Sequence, residues 1–101
     1  MDMKKMMKDL QKMQGKMAQV QESLQSTVYD AEAGGGLVKV SINGKYEVQA
    51  VRLKKEAVDP DDIEALEDLL LAAFNEARAK VDADSSSRMG GLTKGLGIPG
   101  M

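Results

Sequence analysis

The 101-residue chain contains no cysteine, no histidine and no tryptophan, and its three aromatic rings are Tyr29, Tyr46 and Phe74. Each absence excludes something. Without cysteine there is no disulfide framework, zinc ribbon or thiol nucleophile, and without histidine the commonest general base and metal ligand is missing. The lack of cysteine also fits a reducing compartment. Long apolar runs are missing too: Lys4, Lys5, Lys8 and Asp9 interrupt the first ten residues, so neither a signal peptide nor a membrane span is expected and a cytoplasmic chain is the default. A length near the modal domain size predicts one domain with a core small for its surface, for which self-association is expected.

A net charge of −2 argues against a nucleic-acid partner only if it is spread evenly, and it is not. Residues 1–20 hold five lysines against two aspartates, whereas residues 56–84 hold two basic and ten acidic groups. The chain has a basic start and an acidic late segment. A partner meets the local field within a Debye length, roughly 8–10 Å in physiological salt, and not the molecular average.

Met3, Met6, Leu10, Met13, Met17, Val20 and Leu24 alternate spacings of three and four, which predicts a helix over residues 2–25 with an apolar heptad seam. Lys5, Lys8, Lys12 and Lys16 form a second stripe on that helix, well away from the seam. After Leu24 the period becomes alternating. Gly34-Gly35-Gly36 and Asn43-Gly44 punctuate it, the latter read as a type I′ turn in which both residues take positive φ. Val38, Val40 and Ile42 share one face of a strand; Tyr46 and Val48 fall out of phase with Val51 and Leu53, and a bulge near Gln49-Ala50 reconciles them. The expectation is a three-stranded antiparallel meander over residues 27–54.

Asp59-Pro60-Asp61-Asp62 reads as the start of a second long helix over residues 60–84, with Asp59 as its cap and Pro60 in its first turn. Its apolar residues, Ile63, Leu66, Leu70, Phe74, Ala77 and Val81, widened by Leu69, Leu71 and Ala73, cover enough of an arc to bury two sides. One would meet the sheet and the other another chain, with Leu69, Leu70, Leu71 and Phe74 as interface candidates. Ser85-Ser86-Ser87 is read as the end of the helix and of a single 1–87 domain. Residues 88–101 are read as a flexible glycine-rich tail with Met89, Leu92, Leu96 and Ile98 as possible anchors.

Few of these features resemble an active site. The triple glycine lacks the Lys-Ser or Lys-Thr of a phosphate-binding loop, and Gly91-Leu92-Thr93-Lys94-Gly95 places its lysine before the second glycine. The acidic run from Asp59 to Asp68 lacks the oxygen spacing and central glycine of a calcium loop, so a helix cap and solvated face account for it. The methionine seam is explained by packing, within the chain or between chains. The lysine stripe has two readings: a solvated helix face, or a surface for backbone phosphates that does not depend on base sequence.

Four segments together, MKKMMKDLQKMQGKM, GGGLVKVSINGKYEVQAVRL, AVDPDDIEALEDLLLAAFNEA and MGGLTKGLGIPGM, resemble the YbaB/EbfC family of small bacterial nucleoid-associated proteins over almost the whole chain. The resemblance implies a homodimer with a shared α+β body of α-β-β-β-α order and N-terminal helices projecting like tweezer arms. It implies binding of double-stranded DNA, alteration of DNA shape, and a part in nucleoid organisation and gene regulation. No catalysis, cofactor, metal, membrane or small-molecule substrate is implied. The family's use of helical regions near both chain ends points to Lys4, Lys5, Lys8, Lys12 and Lys16 as DNA contacts, with Arg88 and Lys94 as lesser candidates. The alternative function is a homodimeric protein-interaction module that docks a partner on the methionine seam.

Overall fold

The computed structural model describes residues 2–95, with side chains through residue 91. The order is α1 (Met3–Ser26), β1 (Val28–Ala33), β2 (Val38–Asn43), β3 (Val48–Leu53), a short 3-10 turn (Lys55–Ala57) and α2 (Ile63–Gly95). The strands form an antiparallel meander in the order β1-β2-β3. This is the expected α+β architecture.

Asp2 caps α1 by accepting a hydrogen bond from the Lys4 amide at 3.1 Å, satisfying one of the free donors of the first turn. The helix ends where Thr27 turns extended and donates from its hydroxyl back to the Ser23 carbonyl at 2.7 Å. Its β-branched neighbour Val28 then begins the sheet.

The expected bulge is present. Ser41 pairs with Ala50 but Ile42 pairs with Val48, so Gln49 is the extra residue and Val48 is brought into phase with Val51 and Leu53. The β2–β3 turn differs from expectation. The Tyr46 amide donates to the Asn43 carbonyl and the Asn43 amide to the Glu47 carbonyl, closing a three-residue loop in which Tyr46, at φ 64°, takes the left-handed position. Asn43 instead accepts from the amides of Lys45 and Glu47 through its side chain. Gly44 has another reason to be glycine: a Cβ there would lie 1.9 Å from the Leu24 carbonyl oxygen, so the end of α1 rests directly on the hairpin.

Val38, Val40 and Ile42 of β2 and Ala31 of β1 are buried beneath Ala73, Ala77 and Val81 of α2. Small residues on both sides let the helix approach closely. Leu66, Leu69, Leu70 and Phe74 pack around this centre and are only partly buried. α2 packs on β1 and β2. Val48, Val51 and Leu53 of β3 pair with the buried β2 residues on the same face, yet they remain 54, 46 and 44% exposed.

Both ends of α2 depart from the sequence reading. Asp59 accepts from the Asp61 amide and its carbonyl from the Asp62 amide, so Asp59-Pro60-Asp61-Asp62 closes a turn of its own. Asp62 is the cap, accepting from the Ala65 amide at 3.2 Å. At the other end the serine run does not stop the helix, which continues to Gly95. Ser85, Arg88 and Met89 are partly buried there, and such tertiary packing outweighs the poor helix propensity of serine and glycine. The segment 88–95 is therefore helix, while Leu96 and Ile98 lie outside the described residues.

Candidate nucleic-acid interface

The molecule is drawn out to 72 × 25 × 16 Å because α1 leaves the body. None of its 24 residues is buried. Its second half is the better covered: Met13, Met17, Val20 and Leu24 are half-buried, while Met3, Met6, Met7 and Leu10 expose 51–74% of their surface. The cover there comes from the far end of α2, which runs antiparallel to α1. Asp84 meets Tyr29 at the root, and Arg88, one turn further, meets Ser23 and Thr27.

A polar cluster fixes this junction. The Tyr29 hydroxyl donates to Asp84, and the Arg88 guanidinium bridges Asp84, the Ser23 hydroxyl at 2.7 Å and the Thr27 hydroxyl. The hydrogen bond from Tyr29, and then that from Arg88, holds the Asp84 carboxyl below the usual carboxylate range. Burial, followed by the bond to Asp84, raises the Tyr29 phenol above its ordinary value. A second tie lies on the opposite flank of α2, where the Tyr46 hydroxyl donates to Asp82. That bond raises the Tyr46 phenol. The sequence offered only the i,i+4 spacing of Asp84 and Arg88 as a hint of this cluster; its partners lie 55–65 residues away.

Lys4, Lys5, Lys8, Lys12 and Lys16 all lie exposed on α1, and none forms an ion pair among the described residues. Lys16 also lines the shallow groove between the helices with Gln19, Val20, Ser23 and Arg88. Arg88 differs from the lysines, since its guanidinium is engaged in the junction. Lys94 lies in the last described turn of α2, with its side chain outside the described residues.

The acidic run sits at the other end. Asp68 precedes Arg88 by twenty residues of continuous helix, or about 30 Å, and the run continues away from the arm to Asp59. Several Debye lengths therefore separate the lysine stripe from the six carboxylates of residues 59–68, while Asp82 and Asp84, nearer the arm, are taken up by Tyr46, Tyr29 and Arg88. Among the described residues no three acidic side chains converge as a metal site, and no helix is long and apolar enough to cross a membrane. A polar hollow that reaches from the sheet round the β1 edge to α2 is lined by Asp30, Glu32, Lys39, Ser41, Arg52, Glu76 and Lys80, with Lys39 and Glu32 paired at 3.8 Å. Its charges of both signs offset one another and give no focus for an anion.

The family model described as the YbaB/EbfC DNA-binding family matches residues 1–96. The chain belongs to that family. A nucleoid-associated protein of Pelotomaculum thermopropionicum is 48% identical over 100 residues, covering 99% of this chain and 95% of the relative. One from Oceanobacillus iheyensis is likewise 48% identical, covering 99% and 96%. The crystal structure of uncharacterized protein HP0035 from Helicobacter pylori shares the fold with a TM-score of 0.78 at 25% identity, covering 92% of this chain and 98% of that one. In this member of the YbaB/EbfC family, the exposed basic helix and the hydrogen-bonded junction that carries it form the candidate interface.

Proposed function

We propose that the protein is a nucleoid-associated protein acting as a homodimer, which grips duplex DNA with little sequence preference between two α1 arms and alters its conformation. The observation that carries the reading is the lysine stripe: five cations without ion-pair partners among the described residues, on a helix with no fully buried residue and far from the acidic run of residues 59–68. Lysine is a point charge suited to backbone phosphates, and such contacts carry no base information. The absence of aromatic side chains from α1 favours the duplex backbone over splayed single strands. Arg88 acts in this reading by holding the arm at its angle, and the protein performs no catalytic step.

The dimer is supported by the half-covered sheet. Lys80 reaches the Asp30 carbonyl of β1, while Asp82 takes Tyr46 beside β3, so the two flanks of α2 are assigned to the two edges of the sheet. At about 100° per residue Leu71 falls close to the Asp82 flank. Leu71, 62% exposed, thus joins Val48, Val51 and Leu53 along an uncovered apolar trough beside a strand with a free edge. A second copy supplies the missing cover, and each dimer then presents two lysine stripes. Leu70 and Phe74, packed mainly on their own core, border this surface, whereas Leu69 lies on the β1 flank of α2 beside Gly34.

Titration of a plain duplex at several salt concentrations tests the reading. Affinity is expected to fall with a log–log slope of about −0.9 per phosphate contacted. Replacing Lys5, Lys8, Lys12 and Lys16 with glutamine flattens that slope and leaves the dimer intact. Unchanged binding by the glutamine variant would overturn the assignment, and no binding by the wild-type protein would overturn the function.

A further inference from the structure

Among the described residues, Met3, Met6, Met7 and Leu10 are the large apolar side chains that α1 leaves exposed. They expose 74, 51, 59 and 57% of their surface over two turns of helix, about 10 Å, although the seam they begin is half-buried further along at Met13, Met17, Val20 and Leu24. The same two turns carry Lys4, Lys5 and Lys8. Asp2 is occupied as the helix cap, and Asp9 lies opposite Lys4 and Met7 but beside Lys5 and Met6, so the flank without a carboxylate is that of Met3, Met7, Lys4 and Lys8. One flank of the tip is thus apolar and cationic side by side. A surface that satisfies both must present anionic groups and apolar atoms within a single helix diameter.

We propose that this methionine tip is a wedge: on the DNA held by the arms, Met3 and Met7, backed by Met6 and Leu10, press into the minor groove and unstack a base step, while Lys4 and Lys8 hold the flanking phosphates. The inference rests on the DNA-binding reading and adds the means by which the duplex is deformed. Methionine is among the apolar side chains that serve as such wedges, and its unbranched, polarisable chain adapts to the irregular space between partly opened bases. An anionic bilayer also combines the two chemistries. It is disfavoured because interfacial helices draw on Trp or Phe and α1 has neither, and because the uncovered apolar span is only two turns long. With two arms in a dimer, each complex carries two wedges and two kinks.

The test uses the full chain and a duplex carrying an aminopurine reporter of base stacking and a fluorophore at each end. Wild-type protein is expected to raise the aminopurine signal and shorten the end-to-end distance. The triple variant M3Q/M6Q/M7Q, at positions that bury nothing, is expected to bind with the wild-type salt slope while losing both signals, and M3L/M6L/M7L to restore them. Binding by wild type without unstacking, or unstacking by the glutamine variant equal to wild type, overturns the wedge and leaves the lysine assignment standing. Sedimentation with vesicles of equal parts phosphatidylglycerol and phosphatidylcholine that depends on the methionines, when DNA bending does not, overturns it in favour of a membrane surface. Failure of the wild-type protein to bind DNA is a different result, since it removes the function on which the wedge rests.

Discussion

The body and the arm solve opposite problems with similar helices. In the body, α2 presents Ala73, Ala77 and Val81 to Val38, Val40 and Ile42, and small side chains bring helix and sheet close enough to exclude water. In the arm, α1 fully buries no residue, keeps its lysines out of ion pairs among the described residues, and leaves its first methionines exposed. The body holds its shape by packing. The arm depends on a short stretch of α2 and on the hydrogen bonds of Arg88, Asp84 and Tyr29 at its root. The difference teaches that stability and recognition are kept in separate parts of one small chain, so substitutions in the two parts should separate cleanly.

The sharpest contrast is between Ile42 and Met6. Ile42 is 4% exposed at the centre of the sheet, and Ile42→Ala is expected to cost about 2–5 kcal/mol, a loss of transfer energy plus a cavity. Met6 is 51% exposed, and Met6→Ala should change stability by no more than about 0.5 kcal/mol. Urea denaturation at one fixed protein concentration reads both, the concentration being held because dimerisation adds to apparent stability. Equal losses at the two sites would break the division between body and arm.

Two glycines sharpen it at the next level. A Cβ at Gly44 would meet backbone at the Leu24 carbonyl oxygen, so Gly44→Ala must push the root of the arm off the hairpin, at a cost of about 1–3 kcal/mol, comparable to overpacking. Gly15 lies in mid-helix with nothing within 4 Å of its Cβ position. Gly15→Ala is expected to gain about 1 kcal/mol of helix stability, read as higher amide protection along α1. A destabilised Gly15→Ala variant would show that the arm needs glycine at that position.

Much of this division was legible in the sequence, and the exceptions have physical causes. Heptad spacing placed α1 within a residue of its observed ends, and the phase clash between Val48 and Val51 located the bulge at Gln49. Periodicity is a local signal and survives without tertiary information. Asn43-Gly44 spells a turn at the right residues but not its cause, because the close approach to Gly44 comes from Leu24, twenty residues earlier, and the positive φ passes to Tyr46. The serine run misled in the same way. Its propensity argues for a stop, and only contact with α1 carries α2 on to Gly95. At the candidate interface the lysine stripe was visible from spacing alone. The junction at Arg88 was not, since nothing local announces a partner more than sixty residues away.

That junction supplies the smallest effect, and it depends on pH in opposite senses at its two titrating groups. Asp84 is held below the usual carboxylate range by Tyr29 and Arg88, so its contribution is present above the unfolded carboxylate value of 3.8 and is lost as the pH falls through the lowered one. Tyr29 is raised by burial and by Asp84, so its contribution is present below 10.0 and is lost as the pH climbs through the raised value. Between these limits the root of the arm is fully tied. Amide exchange at residues 20–26, measured relative to β2 at the same pH, should therefore be slowest around neutrality and faster towards both extremes, with β2 unchanged. Asp84→Asn is expected to abolish the acid limb and to weaken the alkaline one, since Asp84 adds to burial in raising Tyr29. Tyr29→Phe should abolish the alkaline limb and cost at most about 1 kcal/mol, the net worth of one ordinary hydrogen bond. If β2 and the arm root lost protection together across the pH range, the two regions would be one cooperative unit, and Arg88 would be holding the whole fold and not the angle of the arm.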